Sequence, residues 1–384
     1  MVPARRSPPT NQRLPRPRPP GRVSDPLAEV SDAELLAFSN GRQEFLRRET
    51  PEGGLGPIFN HVSCAACHFQ GGLGGAGPIN VTRFGRNTAA GFDPLASLGG
   101  SLLQVMSIVP AAREFIPREA NVQARRQTTA LFGLGLIEAI PDEALLALAA
   151  VEKPDGVRGK AHLVTDIVSG ELRVGRFGWK SQQATVLAFS ADAYVNEMGV
   201  TNRFFPEENA PNGRADLLAQ HDRVADPEDT ADPVTGLADI DHSANFMRFL
   251  APPAPLPSTA GTEAGKALFT TVGCALCHVP ELTTGPNASA ALANKTVALY
   301  SDLLLHDMGR LGDGIVQGQA SGRDMRTAPL WGIRFSAPYL HDGRAPNLQA
   351  AIMGHDGEGS VARDRFAKLS AADRAALLQF VQSL

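Results

Sequence analysis

Cys64-Ala65-Ala66-Cys67-His68 and Cys274-Ala275-Leu276-Cys277-His278 are two copies of one pattern, and between them they use all four cysteines of the 384-residue chain. Two thiols three positions apart with an imidazole directly after the second form the covalent c-type haem attachment signature. Thiols about one helical turn apart can each add to a haem vinyl group, while the adjacent imidazole is left beneath the iron as proximal ligand. From the chain's own Cys and His frequencies roughly 0.001 matches are expected by chance, so two are no accident of composition. A thioredoxin-like pair needs a βαβ context and no histidine, and a four-cysteine zinc ribbon needs its pairs roughly fifteen to twenty residues apart. Here the gap is 274 − 67 = 207.

The similarity extends outward. Phe59-x-x-Val62-Ser63-Cys64 matches Phe269-x-x-Val272-Gly273-Cys274, which predicts two homologous haem modules. Each is preceded by a helix signal: Ser31-x-x-Glu34 is a capping box opening onto Leu35, Leu36 and Phe38, and Thr262 is placed to cap a helix over 263–269. A helix leading into the attachment motif is how a cytochrome c domain begins.

With 43% hydrophobic and 20% charged residues the chain can bury a sizeable core. The richest apolar segment, 131–151, is interrupted by Glu138, Pro141, Asp142 and Glu143, so no transmembrane span is expected. The 38 Gly and 29 Pro predict long irregular connections. Residues 1–21 hold seven prolines and five arginines and no apolar run, so a disordered Arg/Pro-rich tail is expected over 1–25. It lacks the apolar core of a secretory signal. Without the six arginines of residues 1–22 the chain carries 30 basic against 40 acidic residues. That balance disfavours nucleic acid and suits a basic protein partner or a small neutral substrate.

The run 251–257, Ala-Pro-Pro-Ala-Pro-Leu-Pro, is too proline-rich for helix or central strand and marks a boundary. It separates an N-terminal haem c domain, 26–250, with an inserted middle segment, from a C-terminal haem c domain, 258–384. The latter closes with Ser370-x-x-Asp373 as a cap and Leu377, Phe380, Val381 and Leu384 on one helical face. Residues 161–177 alternate like two strands around Ser169-Gly170 and predict a hairpin; helical patterns occupy 143–151, 182–197 and 237–250. The expected fold class is mainly α, two cytochrome c-like haem domains with a small β-hairpin insertion and irregular loops.

Each further histidine is a candidate sixth ligand. His61, His162, His221 and His242 lie in polar loops or at element ends without a partner motif. His355, in Ala351-Ile352-Met353-Gly354-His355, lies 355 − 278 = 77 residues after the second motif histidine. Met353 is a rival, since a thioether is an established axial ligand, and spacing alone leaves the two open.

Arg326-Thr327-Ala328-Pro329-Leu330-Trp331-Gly332, followed by Ala337-Pro338-Tyr339-Leu340-His341-Asp342-Gly343-Arg344, resembles the C-terminal signature of bacterial di-haem cytochrome c peroxidases and the related enzyme that matures methylamine dehydrogenase. Within that superfamily the chain most resembles the di-haem oxidoreductase, putative peroxidase family, which is thiol oxidoreductase-like. The match runs from about Asn60 to Leu384 and includes Arg126-Gln127-Thr128-Thr129-Ala130-Leu131-Phe132-Gly133-Leu134-Gly135-Leu136-Ile137-Glu138, Gly175-Arg176-Phe177-Gly178-Trp179-Lys180, Met198-Gly199-Val200-Thr201 and Ser301-Asp302-Leu303-Leu304-Leu305-His306-Asp307-Met308-Gly309.

The resemblance implies two covalently bound haem c, with Cys64, Cys67, His68, Cys274, Cys277 and His278 holding them and His68, His278 and His355 on iron. It places the distal ligand of the C-terminal haem after the 339–344 run, where His355 stands in place of the usual Met. It implies electrons from a small redox protein or other donor arriving at the C-terminal haem, and hydrogen peroxide reduced at the N-terminal one, whose iron is left open because no histidine occurs in the short loop after His68. Glu138 is the expected acid/base for peroxide cleavage, although Thr129 stands where the family has Pro. Trp179 is expected in the core, His306 and Met308 in packing or supporting positions, and His341 and Arg344 beside a haem edge or propionate. A periplasmic location is expected because haem c is attached outside the cytoplasm, and the sequence leaves open whether an interdomain calcium is bound. The alternatives are a di-haem electron carrier without a substrate and an oxidase of a protein partner.

Overall fold

The computed structural model describes residues 23–384; the expected tail lies, but for residues 23–25, outside the described residues. The described residues form eleven α-helices joined by short strands and irregular connections. Before the proline-rich run come α1 (Asp32–Leu46), α2 (Cys64–Cys67), α3 (Leu134–Glu138), α4 (Asp142–Ala150), α5 (Val186–Ala193), α6 (Ala215–His221) and α7 (Asp239–Phe249). After it come α8 (Ala260–Val272), α9 (Leu348–Met353), α10 (Ser360–Lys368) and α11 (Ala371–Ser383). None is long and apolar enough to cross a membrane.

Local chemistry sets the helix starts. The Ser31 hydroxyl accepts the Glu34 amide and the Glu34 carboxylate accepts the Ser31 amide at 2.7 Å, satisfying two donors that α1 would otherwise leave unpaired. The cap of helix α8 lies three residues before the expected one: Thr259 is the N-cap, and the Thr262 hydroxyl accepts the Thr259 amide at 2.7 Å in a reciprocal box. Ser370 caps α11 by accepting the Asp373 amide at 3.1 Å, and Leu377, Phe380, Val381 and Leu384 are buried.

Two helix pairs are built alike. In α1 against α7, a Cβ on Gly41 would overlap the His242 carbonyl oxygen, and Phe45 packs on Phe246 at 4.8 Å. In α8 against α11, a Cβ on Gly265 would overlap the Ala376 carbonyl oxygen, and Phe269 packs on Phe380 at 5.5 Å. A mid-helix glycine costs about 0.5–1 kcal/mol of propensity; here it lets two backbones touch. Phe45 then reaches His68 (6.1 Å) as Phe269 reaches His278 (6.4 Å). The register expected from sequence is therefore corrected: the counterpart of Phe269 is Phe45, whereas Phe59 lies on a two-residue strand paired with Met106. The N-terminal copy is hidden by a longer connection between its helix and Cys64.

A four-stranded antiparallel sheet, absent from the expectation, follows the first motif. Its long strand Asn80–Thr88 pairs with Val122–Gln127, with Asn80 opposite Gln127, and with Leu102–Leu103 and Gly91–Asp93. Strands His162–Thr165 and Leu172–Gly175 pair antiparallel, with His162 opposite Gly175. The proline-rich run has no regular structure, and the main core crosses it: Phe45, Phe132, Ile137 and Phe246 share one apolar cluster with Leu292, Leu299, Leu303 and Trp331. A second cluster joins Phe269, Tyr300, Phe366, Leu377 and Phe380.

Candidate functional site

Each attachment motif begins on a short helical turn that brings the histidine back under its own first cysteine. The His68 amide donates to the Cys64 carbonyl at 3.1 Å, and the His278 amide to the Cys274 carbonyl at 3.0 Å. The imidazoles are then fixed from behind. His68 Nδ1 lies 3.0 Å from the Thr129 carbonyl and 3.2 Å from that of Gly75; His278 Nδ1 lies 3.0 Å from the Tyr300 carbonyl. A carbonyl only accepts, so Nδ1 carries the proton and Nε2 keeps its lone pair, the tautomer a metal-binding imidazole needs. Burial pushes both histidines down to about 4, so both rings are neutral near pH 7. All four cysteines are free, and burial raises Cys64, Cys67 and Cys274 to about 12.

A cavity of about 280 Å³ opens in front of the second motif, with Cys274, Cys277 and His278 in its wall. His355 lies in the same wall, just after α9, with Nδ1 2.8 Å from the Ala351 carbonyl. It too is left with a free Nε2, and burial lowers its pKa. Met353 is 44% exposed and outside that wall. The cavity extends past Trp331 and Trp179 to Thr129, whose carbonyl holds His68, and to Ile137 and Phe189. A largely apolar slot with two thiols at one end and the neutral imidazoles of His278, His341 and His355 along it fits a haem.

Glu138 is not in this wall, although Ile137 is. One carboxylate oxygen accepts the Val186 amide at 2.7 Å, at the start of α5, and the other accepts Arg248 Nε at 2.9 Å. Trp179 is half-buried rather than sealed in the core; its indole N–H donates to the Gln127 carbonyl at 2.9 Å, and His341 meets it edge-on at 6.2 Å. His341 is buried and lowered to about 4 by that burial. Arg344 pairs with its neighbour Asp342 at the surface. His162 lies at the start of its strand, an element end as expected: Nδ1 donates to the Lys180 carbonyl at 2.7 Å and Nε2 accepts the Gln319 amide at 3.1 Å, leaving neither nitrogen for a metal. His61, His221 and His242 lie outside the cavity wall.

Sequence reasoning missed what surrounds His306. This buried ring lies between Asp302 (3.0 Å) and Glu358 (2.7 Å), 3.6 Å from Cys277 Sγ, and Lys153 Nζ donates to the same Asp302 oxygen, Oδ2, at 2.9 Å. Burial opposes its charge, but hydrogen bonds with Asp302, Cys277 and Glu358 win and raise it to about 12. The four-residue spacing from Asp302 to His306 was the available signal, masked by the three leucines between them.

A family model described as di-haem oxidoreductase, putative peroxidase, matches residues 116–384. No curated protein matches the chain. Among solved structures it is similar to hydrazine synthase of Kuenenia stuttgartiensis, pressurised with xenon (14% identity, 99% of this chain and 100% of that chain, TM-score 0.44). It is also similar to a MauG-like protein associated with microbial copper homeostasis (16%, 97% and 95%, TM-score 0.43) and to the diheme peroxidase BthA of Burkholderia thailandensis (13%, 95% and 93%, TM-score 0.38). At such identities and scores the family match alone carries the assignment.

Proposed function

The chain belongs to the di-haem oxidoreductase, putative peroxidase family and is a haem-dependent oxidoreductase, and from that premise we propose that it passes electrons from a donor to hydrogen peroxide, accepting them at a C-terminal haem c and reducing peroxide at an N-terminal one. The observation that carries the reading is the shared posture of His68, His278 and His355. All three bond a backbone carbonyl through Nδ1 and keep Nε2 free. In this reading Cys64, Cys67 and His68 hold the first haem, Cys274, Cys277 and His278 the second, and His355 is the second haem's distal ligand. The proposed domains are 26–250 and 258–384. Bound haem supplies redox-active iron for the two-electron cleavage of peroxide to two waters.

The residues supply the rest. Free, protonated thiols are the form that adds across a vinyl group, the S–H hydrogen going to one carbon and the sulfur to the other. The carbonyls behind His68 and His278 orient the rings and make Nε2 more electron-donating. The apolar wall excludes water from the space between the motifs. Glu138 is the proposed acid/base, next to Ile137 in the wall, and it must leave Arg248 and the Val186 amide to move a proton. A periplasmic location, where haem c is attached, completes the proposal.

The test is intact mass followed by donor-to-peroxide turnover after expression with a haem c maturation system. The expected mass is the polypeptide plus two haems, with turnover lowered at least about tenfold by Glu138→Gln at unchanged haem spectra. One haem or none sinks the di-haem reading. Two haems without turnover in the donor-reduced protein leave an electron carrier, and unchanged turnover in Glu138→Gln removes that residue from the mechanism.

A further inference from the structure

Most buried cations of this protein near the cavity have a carboxylate beside them. Arg126 and Lys180 share Asp313, Arg176 meets Asp142, and Lys153 meets Asp302. Arg326 does not. It is 8% exposed and part of the cavity wall, yet no acidic side chain among the described residues pairs with it. Its Nε donates to the Gly178 carbonyl at 2.9 Å and its Nη1 to the Thr327 carbonyl at 3.2 Å, so two neutral oxygens hold the guanidinium in a fixed plane, and Nη2 has no partner among the described residues. Burial alone acts on its pKa, lowering it to about 10, so it stays charged at neutral pH. A buried, oriented and unpaired guanidinium on a cavity wall is a carboxylate or phosphate receptor waiting for its anion.

We propose that Arg326 anchors a propionate carboxylate of the haem held by Cys274, Cys277 and His278. The inference rests on reading the cavity as a haem site. The C-terminal haem is chosen because Arg326 is built into the wall hung on its motif. Arg326 pairs with Leu305 across a short antiparallel ladder, and the next residue on that strand, His306, is the one beside Cys277. The same wall is tied to the motif by the Asp302 amide on the Cys277 carbonyl at 2.9 Å, and to the Arg326 strand by the Ser301 hydroxyl on the Thr327 carbonyl at 2.7 Å. The planar fork suits a carboxylate, which accepts two parallel N–H groups; lysine offers only a point charge. The Trp179 carbonyl accepts the Arg326 amide at 2.9 Å, which ties the anchoring residue to the segment joining the two motifs.

The experiment uses the holoprotein. Intact mass first establishes that both haems are attached, and a protein without them fails the haem reading of the cavity rather than the role of Arg326. Each haem's reduction equilibrium is then titrated in the unmodified protein, Arg326→Gln and Arg326→Lys. Loss of the cation disfavours the less positive, reduced state. Arg326→Gln is expected to lower the reduction equilibrium constant of the C-terminal haem at least about tenfold, which is about 59 mV for a one-electron couple. Arg326→Lys recovers part of the loss, and the N-terminal haem stays where it was. Unmoved potentials in a di-haem variant, or a shift confined to the N-terminal haem, overturn the proposal. Should Arg326→Gln fail to fold, the unmodified protein grown on a ¹³C-labelled haem precursor gives a second reading. Its redox-difference infrared spectrum is expected to contain a guanidinium-paired propionate band, and the absence of that band refutes the anchor.

Discussion

Replacing His306 by glutamine tests a charged group that lies 3.6 Å from the Cys277 sulfur of the second attachment motif. The imidazole donates to Asp302 and Glu358 at once, and both ring nitrogens are used. Glutamine has similar reach but no charge, and its amide can donate to only one of the two carboxylates while presenting an oxygen to the other. Glu358 keeps the Arg158 and Asp307 amides, and Asp302 keeps Lys153, so the loss is confined to the ring's own bonds. A hydrogen bond to a charged group is worth about 1.5–3 kcal/mol, and one lost bond plus a weakened one sum to about 3 kcal/mol. At about 2.1 cal/mol/K per residue, 384 residues unfold with an entropy near 0.8 kcal/mol/K, so the expected fall in Tm is about 4 °C near pH 6. The pH dependence carries a definite sign. His306 is raised to about 12 in the fold from about 6.5 when unfolded, so its contribution is complete below pH 6.5 and declines above it. The decline is about 1.4 kcal/mol per pH unit, because the unfolded chain has released a proton that the fold still binds. Circular dichroism melts of the two proteins should therefore converge between about pH 6 and pH 8.5. A gap that is constant, or that widens with pH, would mean that His306 is not held as the cation.

Two further outcomes follow from the geometry. His355→Gly should create a new high-spin signal in the oxidised protein by electron paramagnetic resonance, whereas Met353→Leu, at a side chain 44% exposed, should leave the spectrum unchanged; the reverse pattern transfers the ligand to Met353. Gly265→Ala places a methyl group against the Ala376 carbonyl and must part α8 from α11. A loss of about 1–3 kcal/mol in a urea melt is expected, and an unchanged midpoint would show that the close helix approach does not matter.

What was legible in the sequence is what is local. The two attachment motifs occupy five residues each, and the Ser31 and Ser370 caps act over three. The order of motifs from 126 onward identified the family without any knowledge of which parts touch. The boundary of α8 was read three residues late because Thr259 and Thr262 both suit a cap, and only their reciprocal bonding decides between them. The sheet was missed for a different reason. Its longest ladder pairs 80–85 with 122–127 across an irregular stretch, and the pairing strand Val122–Gln127 carries three polar or charged residues in its last three positions, so no period-two apolar signal marks it.

The haem-module repeat shows how far a local match can mislead. Phe59 and Phe269 stand at equal distances from their cysteines, so the sequence aligned them, yet only Phe269 lies on the helix that packs against the motif histidine. The property preserved between the two halves is a relation in space: a glycine four residues before a phenylalanine, the glycine touching a partner helix and the phenylalanine touching the imidazole. Gly41 and Phe45 satisfy that relation from a position where the chain then wanders through 47–63 before reaching Cys64. Gly265 and Phe269 satisfy it with the motif following directly. Packing selects the contact and leaves the length of the connection free, since lengthening a surface loop adds only a slowly growing entropy cost. The same reasoning explains the site. Thr129, Tyr300 and Ala351 carbonyls fix three imidazoles from sequence separations of 61, 22 and 4 residues, and only the last could be read from spacing along the chain.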